Sequence, residues 1–194
     1  MELKSAFDLA QVAAFNNVVT SVNVAAEFPS QVFLGSWEKI LFFESDHVFA
    51  PQFANIIQGL VTIERAKSCC LLNITQTTDF LLEKAATMFL EPPFLNQEYY
   101  LRLRSGGASE GWLFRMDRYA CSSDRGEWSV YCEKGNDIAA IALRGSSGED
   151  RFSEPIKQLT AKSIVSLVKQ GSDAPVPFNR LTKSWESALL KNYS

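Results

Sequence analysis

From Glu127 to Arg144 apolar and polar positions alternate on both sides of Lys134-Gly135-Asn136-Asp137, and this alternation predicts a β-hairpin. Gly135-Asn136 reads as a two-residue loop, with Gly135 supplying the positive φ. The register follows: Trp128 faces Leu143, Val130 faces Ile141 and Cys132 faces Ala139, giving one apolar face. On the other face Glu127 meets Arg144, Ser129 meets Ala142 and Tyr131 meets Ala140. A slip of one residue would carry Glu127 and Ser129 to the apolar side, so the register is strongly specified. Cross-strand pairs contribute roughly 0.2–1 kcal/mol each, so the hairpin needs a core to dock on.

The rest of the chain alternates between helical and strand-like periods. Residues 5–17 read as a helix that ends near Val22, with Ser5 and Asp8 spaced as a capping box and Leu9, Val12, Ala13 and Asn16 on one face. Gln31–Leu34 and Trp37–Phe43 read as strands. Phe53, Ile56, Ile57, Leu60, Val61 and Glu64 fall on one side of a helix that follows Pro51, and Ser68–Ile74 is a buried strand. That strand–helix–strand order suggests a crossover unit. Thr77 or Thr78 starts a third helix with Leu82, Ala85, Ala86 and Phe89 inward, which Pro92-Pro93 stops. Glu98–Arg104 alternates, and Gly111–Tyr119 reads as its return strand. With the hairpin they make a four-stranded antiparallel meander from Glu98 to Arg144. Ser153 starts a helix running through Ile156, Leu159, Ile164, Leu167 and Val168 to Gly171. An extended segment and a short helix, Thr182–Asn192, close the chain. The fold class is α+β: a single domain over 1–194, with a mixed or mainly antiparallel sheet and helices mainly on one face.

Composition changes this picture little. The chain has 194 residues, of which 46% are hydrophobic and 21% charged, enough to bury a core without metal or disulfide support. The net charge of −3 is too mild to argue for nucleic acid or an anionic membrane. No apolar run reaches the roughly 20 residues of a spanning helix, and Glu2 and Asp8 break the pattern of a signal peptide, so a cytoplasmic location is expected. Cys69, Cys70, Cys121 and Cys132 have neither disulfide-framework nor zinc spacing and read as reduced small hydrophobes, with Cys121, next to a polar turn, the most reactive.

Candidate chemistry is sparse. Ser105-Gly106-Gly107-Ala108-Ser109 lacks the lysine and the following helix of a phosphate loop, and no cofactor fingerprint is present. His47, the one histidine, has Asp46 beside it but no nucleophile at a recognisable spacing, and too few ligands surround it for a metal. The concentration of cationic groups lies at Arg102, Arg104, Arg115, Arg118 and Arg125, among enough acids to leave the segment neutral. A strand would put Tyr100, Arg102 and Arg104 on one exposed face and Leu101 and Leu103 on the core side. Tyrosine and arginine together are the composition of protein-binding surfaces. The expected function is therefore a non-catalytic protein-interaction module, an inhibitor or immunity-like partner protein, that binds through Tyr100, Arg102, Arg104 and Arg115. The partner is another protein, without cofactor, metal, nucleic acid or membrane. The alternatives are a small-ligand sensor or an enzyme whose site is assembled only in the fold.

Overall fold

A computed structural model describes residues 7–75, 81–82, 86–94, 96–105, 117–145 and 148–194. Its elements in chain order are α1 (Leu9–Ser21), β1 (Lys39–Glu44), α2 (Asp46–Phe49), α3 (Phe53–Glu64), β2 (Cys69–Asn73), β3 (Thr87–Leu90), α4 (Asn96–Arg104), β4 (Arg118–Ser123), β5 (Trp128–Glu133), β6 (Ile138–Leu143), α5 (Gly148–Arg151), α6 (Ser153–Gln158), α7 (Ile164–Gln170) and α8 (Lys183–Tyr193). Among the described residues the strands form one six-stranded sheet in the order β1-β6-β5-β4-β2-β3, with every neighbouring pair antiparallel. The fold is α+β, as the sequence indicates. β1 and β2 run the same way but lie four places apart, so α3 carries the chain across β6, β5 and β4 rather than between neighbours.

The hairpin register is the one expected, from Trp128 opposite Leu143 to Cys132 opposite Ala139. Its turn differs. Lys134–Asn136 form a 3₁₀ turn, and the positive φ (56°) falls on Asp137 rather than Gly135. The four-residue loop places the left-handed residue last, just before β6. The Asp137 amide donates to the Lys134 carbonyl (3.2 Å), and its carbonyl accepts from Ser45 (3.0 Å). Glu127 and Arg144 share a backbone bond, but their side chains part: the Glu127 carboxylate pairs with Arg151, and the Arg144 guanidinium lies 4.4 Å from the Trp37 ring centre.

Both faces of the sheet are covered, which corrects the expectation of helices mainly on one side. Leu41, Phe43, Leu71, Cys121, Val130 and Ile141 pack on one face beneath α3, α4 and α6. Phe42, Cys70, Leu72, Ala120, Tyr131 and Ala140 pack on the other beneath α1, α7 and α8. The reason lies in β1, β2 and β6, whose residues are apolar at odd and even positions alike. Such a strand has to be covered twice. α1 turns Ala14, Phe15, Val18 and Ser21 inward and leaves Leu9 89% exposed, and its capping box is Asp8 with Gln11, not Ser5 with Asp8.

Three further expectations change. Glu98–Arg104 is helix, so the meander reduces to β4, β5 and β6 within the sheet; the start of its expected return strand lies outside the described residues. Thr87–Leu90, expected in a helix, is a strand, and Thr77, Thr78 and Ala85 also lie outside the described residues. The helix expected from Ser153 to Gly171 breaks at Thr160 (φ 53°), where the chain turns to pair with β1. Phe42 donates to the Lys162 carbonyl (2.7 Å) and Lys162 donates back (2.9 Å). The helix then restarts as α7 with Ser163 as its cap and stops at Gly171, whose φ of 55° suits a residue without a Cβ. Among the described residues no helix is long and apolar enough to cross a membrane.

Candidate functional site

The sheet has two outer strands, and the chain treats them differently. The outer edge of β1 is bridged at its centre by the Phe42–Lys162 pair. The other edge belongs to β3, a four-residue strand paired with β2 from Thr87 opposite Leu72 to Leu90 opposite Cys69. The Asn73 amide donates to the Ala86 carbonyl (3.0 Å), which makes 73 and 86 a hydrogen-bonded pair. In an antiparallel ladder such pairs alternate, so Met88 and Leu90 also turn their backbone groups to β2, while Thr87 and Phe89 turn theirs outward. The Phe89 carbonyl accordingly accepts from Nη1 of Arg102 at 2.7 Å.

Arg102 comes from α4, which runs beside this edge. Tyr99 and Leu103, one helical turn apart, are buried and fix which way α4 faces. The Tyr99 hydroxyl donates to the Val48 carbonyl at 2.6 Å, and burial holds it well above the usual tyrosine pKa. With that face inward, Leu101 is 60% exposed and Arg102 leans over β3. Tyr100 and Arg104 pair with each other, the guanidinium 5.5 Å from the ring centre. Of the residues expected to form one surface, Arg102 is thus separated from Tyr100 and Arg104, Leu101 faces out rather than in, and Arg115 lies outside the described residues.

Between β3, α4 and the start of α1 runs an open groove of about 690 Å³. Phe7, Phe89 and Phe94 supply its apolar lining, with the Phe7 and Phe89 ring centres 5.6 Å apart. Its charges are Glu91, Glu98 and Arg102. Glu91 accepts from the Gln11 amide at 2.7 Å. Glu98 is exposed, with no ion-pair partner among the described residues. The sequence pattern sets Phe89 on the inner face of a helix and leaves Glu91 and Phe94 at the prolines that end it, so it does not bring the three to one groove. The signal present was a short apolar run, Thr87-Met88-Phe89-Leu90, ended two residues later by Pro92-Pro93, as edge strands often are.

Two buried carboxyl groups lie elsewhere. Glu133 is 3% exposed at the end of β5: Oε1 accepts from the Phe28 amide (2.6 Å) and the Tyr131 hydroxyl (2.7 Å), and Oε2 accepts from the Asn136 amide. Burial raises its pKa against these three donors. Beside it is a cavity of about 370 Å³ with Glu27, Asp117 and Arg118 in its lining, where Arg118 is held by the carbonyls of Val24 and Ala26 and by Glu27. Every oxygen of Glu133 is engaged, so this carboxylate ties the segment around Phe28 to β5 and to the hairpin turn. Glu64, 5% exposed at the end of α3, accepts from the Trp128 indole at 2.7 Å through Oε1, and Oε2 is buried without a well-formed hydrogen bond. Burial lifts its pKa to about 7, against the pull of the nearby Ser123 hydroxyl and the Trp128 indole.

The four cysteines are free and fully buried, so Cys121, expected to be the most reactive, is no more exposed than the other three. It sits within β4 on the face beneath α3, and the polar turn that follows does not uncover it. Burial drives the thiols of Cys69, Cys70 and Cys132 well above the usual range, unfavourable to a nucleophile. His47 lies edge-on to Phe43, ring centres 6.2 Å apart, and makes no hydrogen bond to a thiol among the described residues. Comparison with known proteins finds no matching family model, no matching curated protein and no matching solved structure.

Proposed function

We propose that this chain is a protein-interaction module that receives its partner in the groove between β3 and α4, in the manner of an inhibitor or immunity-like partner protein. The observation that carries the reading is how the two sheet edges differ: the β1 edge is bridged at Phe42 by the backbone of Lys162, while the β3 edge opens on a groove and is met there by the Arg102 side chain. Exposed strand edges are usually blunted, because they pair with other chains. Leu101, 60% exposed, lies in an adjoining hollow that shares Glu98, Arg102 and Ser105 with the groove, and so extends the same surface with an apolar side chain. The small-ligand alternative has the 370 Å³ cavity by Glu133 in its favour. It is the weaker reading, since Glu133 and Arg118 are already occupied by protein groups.

The test is a peptide-display selection against the immobilised full chain, followed by affinity measurements with Leu101→Asp and Arg102→Glu. Each should weaken the selected binders about tenfold or more, since truncating a central interface residue often costs roughly 2 kcal/mol. Melting temperatures should stay near that of the parent protein. Should Arg102→Glu disturb folding, Leu101→Asp, which changes an exposed side chain, still decides. Binders that retain full affinity for both variants overturn the proposal.

A further inference from the structure

Resting on that reading of the groove, we infer that the partner enters as an added β-strand: an extended segment of another protein, alternating basic and apolar residues, pairs antiparallel or parallel with the outer edge of β3. The ladder parity turns the amides of Thr87 and Phe89 and the carbonyl of Thr87 away from β2, and none of these groups has a hydrogen-bond partner among the described residues. Thr87 and Phe89 are half-buried and both line the groove. Arg102 already does for one of the four outward groups what an incoming strand would do: it brings an N–H to the Phe89 carbonyl. A strand of four residues spans roughly 14 Å, and its alternate side chains reach one face each. Main-chain bonds of this kind supply affinity, and pockets for alternate side chains supply specificity.

The groove also states what the segment carries. The half-buried rings of Phe7 and Phe89 offer apolar contact to alternate side chains, with Phe94 buried behind them. Glu91 and Glu98 outnumber Arg102, so lysine or arginine at the intervening positions is complementary and acidic residues are repelled. The same charges disfavour a second copy of this chain as occupant, since a two-fold pairing of β3 with itself brings four carboxylates and only two guanidinium groups to one seam.

The experiment uses the isotope-labelled full chain and three capped synthetic peptides: one alternating valine and lysine, the same peptide with glutamate for lysine, and the lysine peptide N-methylated at alternate residues. The lysine peptide should shift resonances of β3 and α4 and slow exchange of the Thr87 and Phe89 amides about tenfold or more, as new hydrogen bonds do. The glutamate and N-methylated peptides should do neither. Thr87→Pro removes one outward donor at the first position of an edge strand, where proline is tolerated, and should weaken the lysine peptide about fivefold or more without lowering the melting temperature. Binding in the groove that leaves both amides unprotected overturns strand addition while the interaction reading stands. Display-selected binders that ignore Leu101 and Arg102 remove the reading beneath it. Absence of lysine-peptide binding at about 1 mM, or a dimer that protects Thr87 and Phe89 without peptide, overturns the inference in favour of another occupant.

Discussion

At Asp137 the backbone sits at φ 56°, whereas Gly135 is in an ordinary turn conformation with open space around the position of a Cβ. The two residues therefore exchange the roles that their names suggest. Asp is among the residues that adopt the left-handed region with modest strain, and the Asp137 carbonyl and amide are both bonded there. Gly135→Val should change stability by less than about 0.5 kcal/mol, as exposed substitutions usually do. Asp137→Val should cost roughly 1–3 kcal/mol, because a β-branched residue is strained at positive φ. Denaturant midpoints of the two variants decide between these sites. A larger loss at Gly135 would restore the two-residue turn.

Between single residues and the sheet, α4 and β3 are the elements that the sequence left ambiguous. Glu98–Arg104 offers Leu101 and Leu103 to a two-residue period and Tyr99 and Leu103 to a helical turn, and so short a run does not discriminate. Docking decides. α4 packs against α3, and Tyr99 reaches the Val48 carbonyl only from a helix that turns residues 99 and 103 inward. The two leucines separate these alternatives experimentally. Leu103→Asp buries a charge and should destabilise by about 3 kcal/mol or more, whereas Leu101→Asp should lie within about 0.5 kcal/mol of the parent. Equal losses in thermal or chemical unfolding would mean that both leucines face the core, as a strand exposed on one side cannot avoid and this helix does. The Thr160 break is of the same kind: the apolar spacing of 153–171 is continuous, but the pairing of Lys162 with Phe42 pulls the chain out of the helix.

At the scale of the whole molecule, Glu64 couples the stability of the fold to pH. Its pKa of about 7 in the folded protein stands above the ordinary value of 4.5, because the end of α3 buries it against Trp128. Its contribution is full below about pH 4.5, declines as the unfolded chain ionises, and is gone once pH passes about 7; the difference is roughly 3 kcal/mol. Glu64→Gln keeps an acceptor for the Trp128 indole and carries no charge, so it should be more stable than the parent above pH 7 and flatten the pH dependence between pH 4.5 and 7. Unfolding free energies across that range check this, and an unchanged slope would place the titrating group elsewhere. The local pattern of the sequence determined the hairpin register, the apolar face of α3 and the α+β class, because each follows from a periodicity that neighbouring residues alone must satisfy. Which strand became the open edge, which way α4 turned its arginines, and that Glu64 and Glu133 were drawn into the interior were decided only by the tertiary structure. Those outcomes depend on burial between segments far apart in the chain, such as Glu64 with Trp128 and Phe28 with Glu133, and local periodicity carries no record of such distant partners.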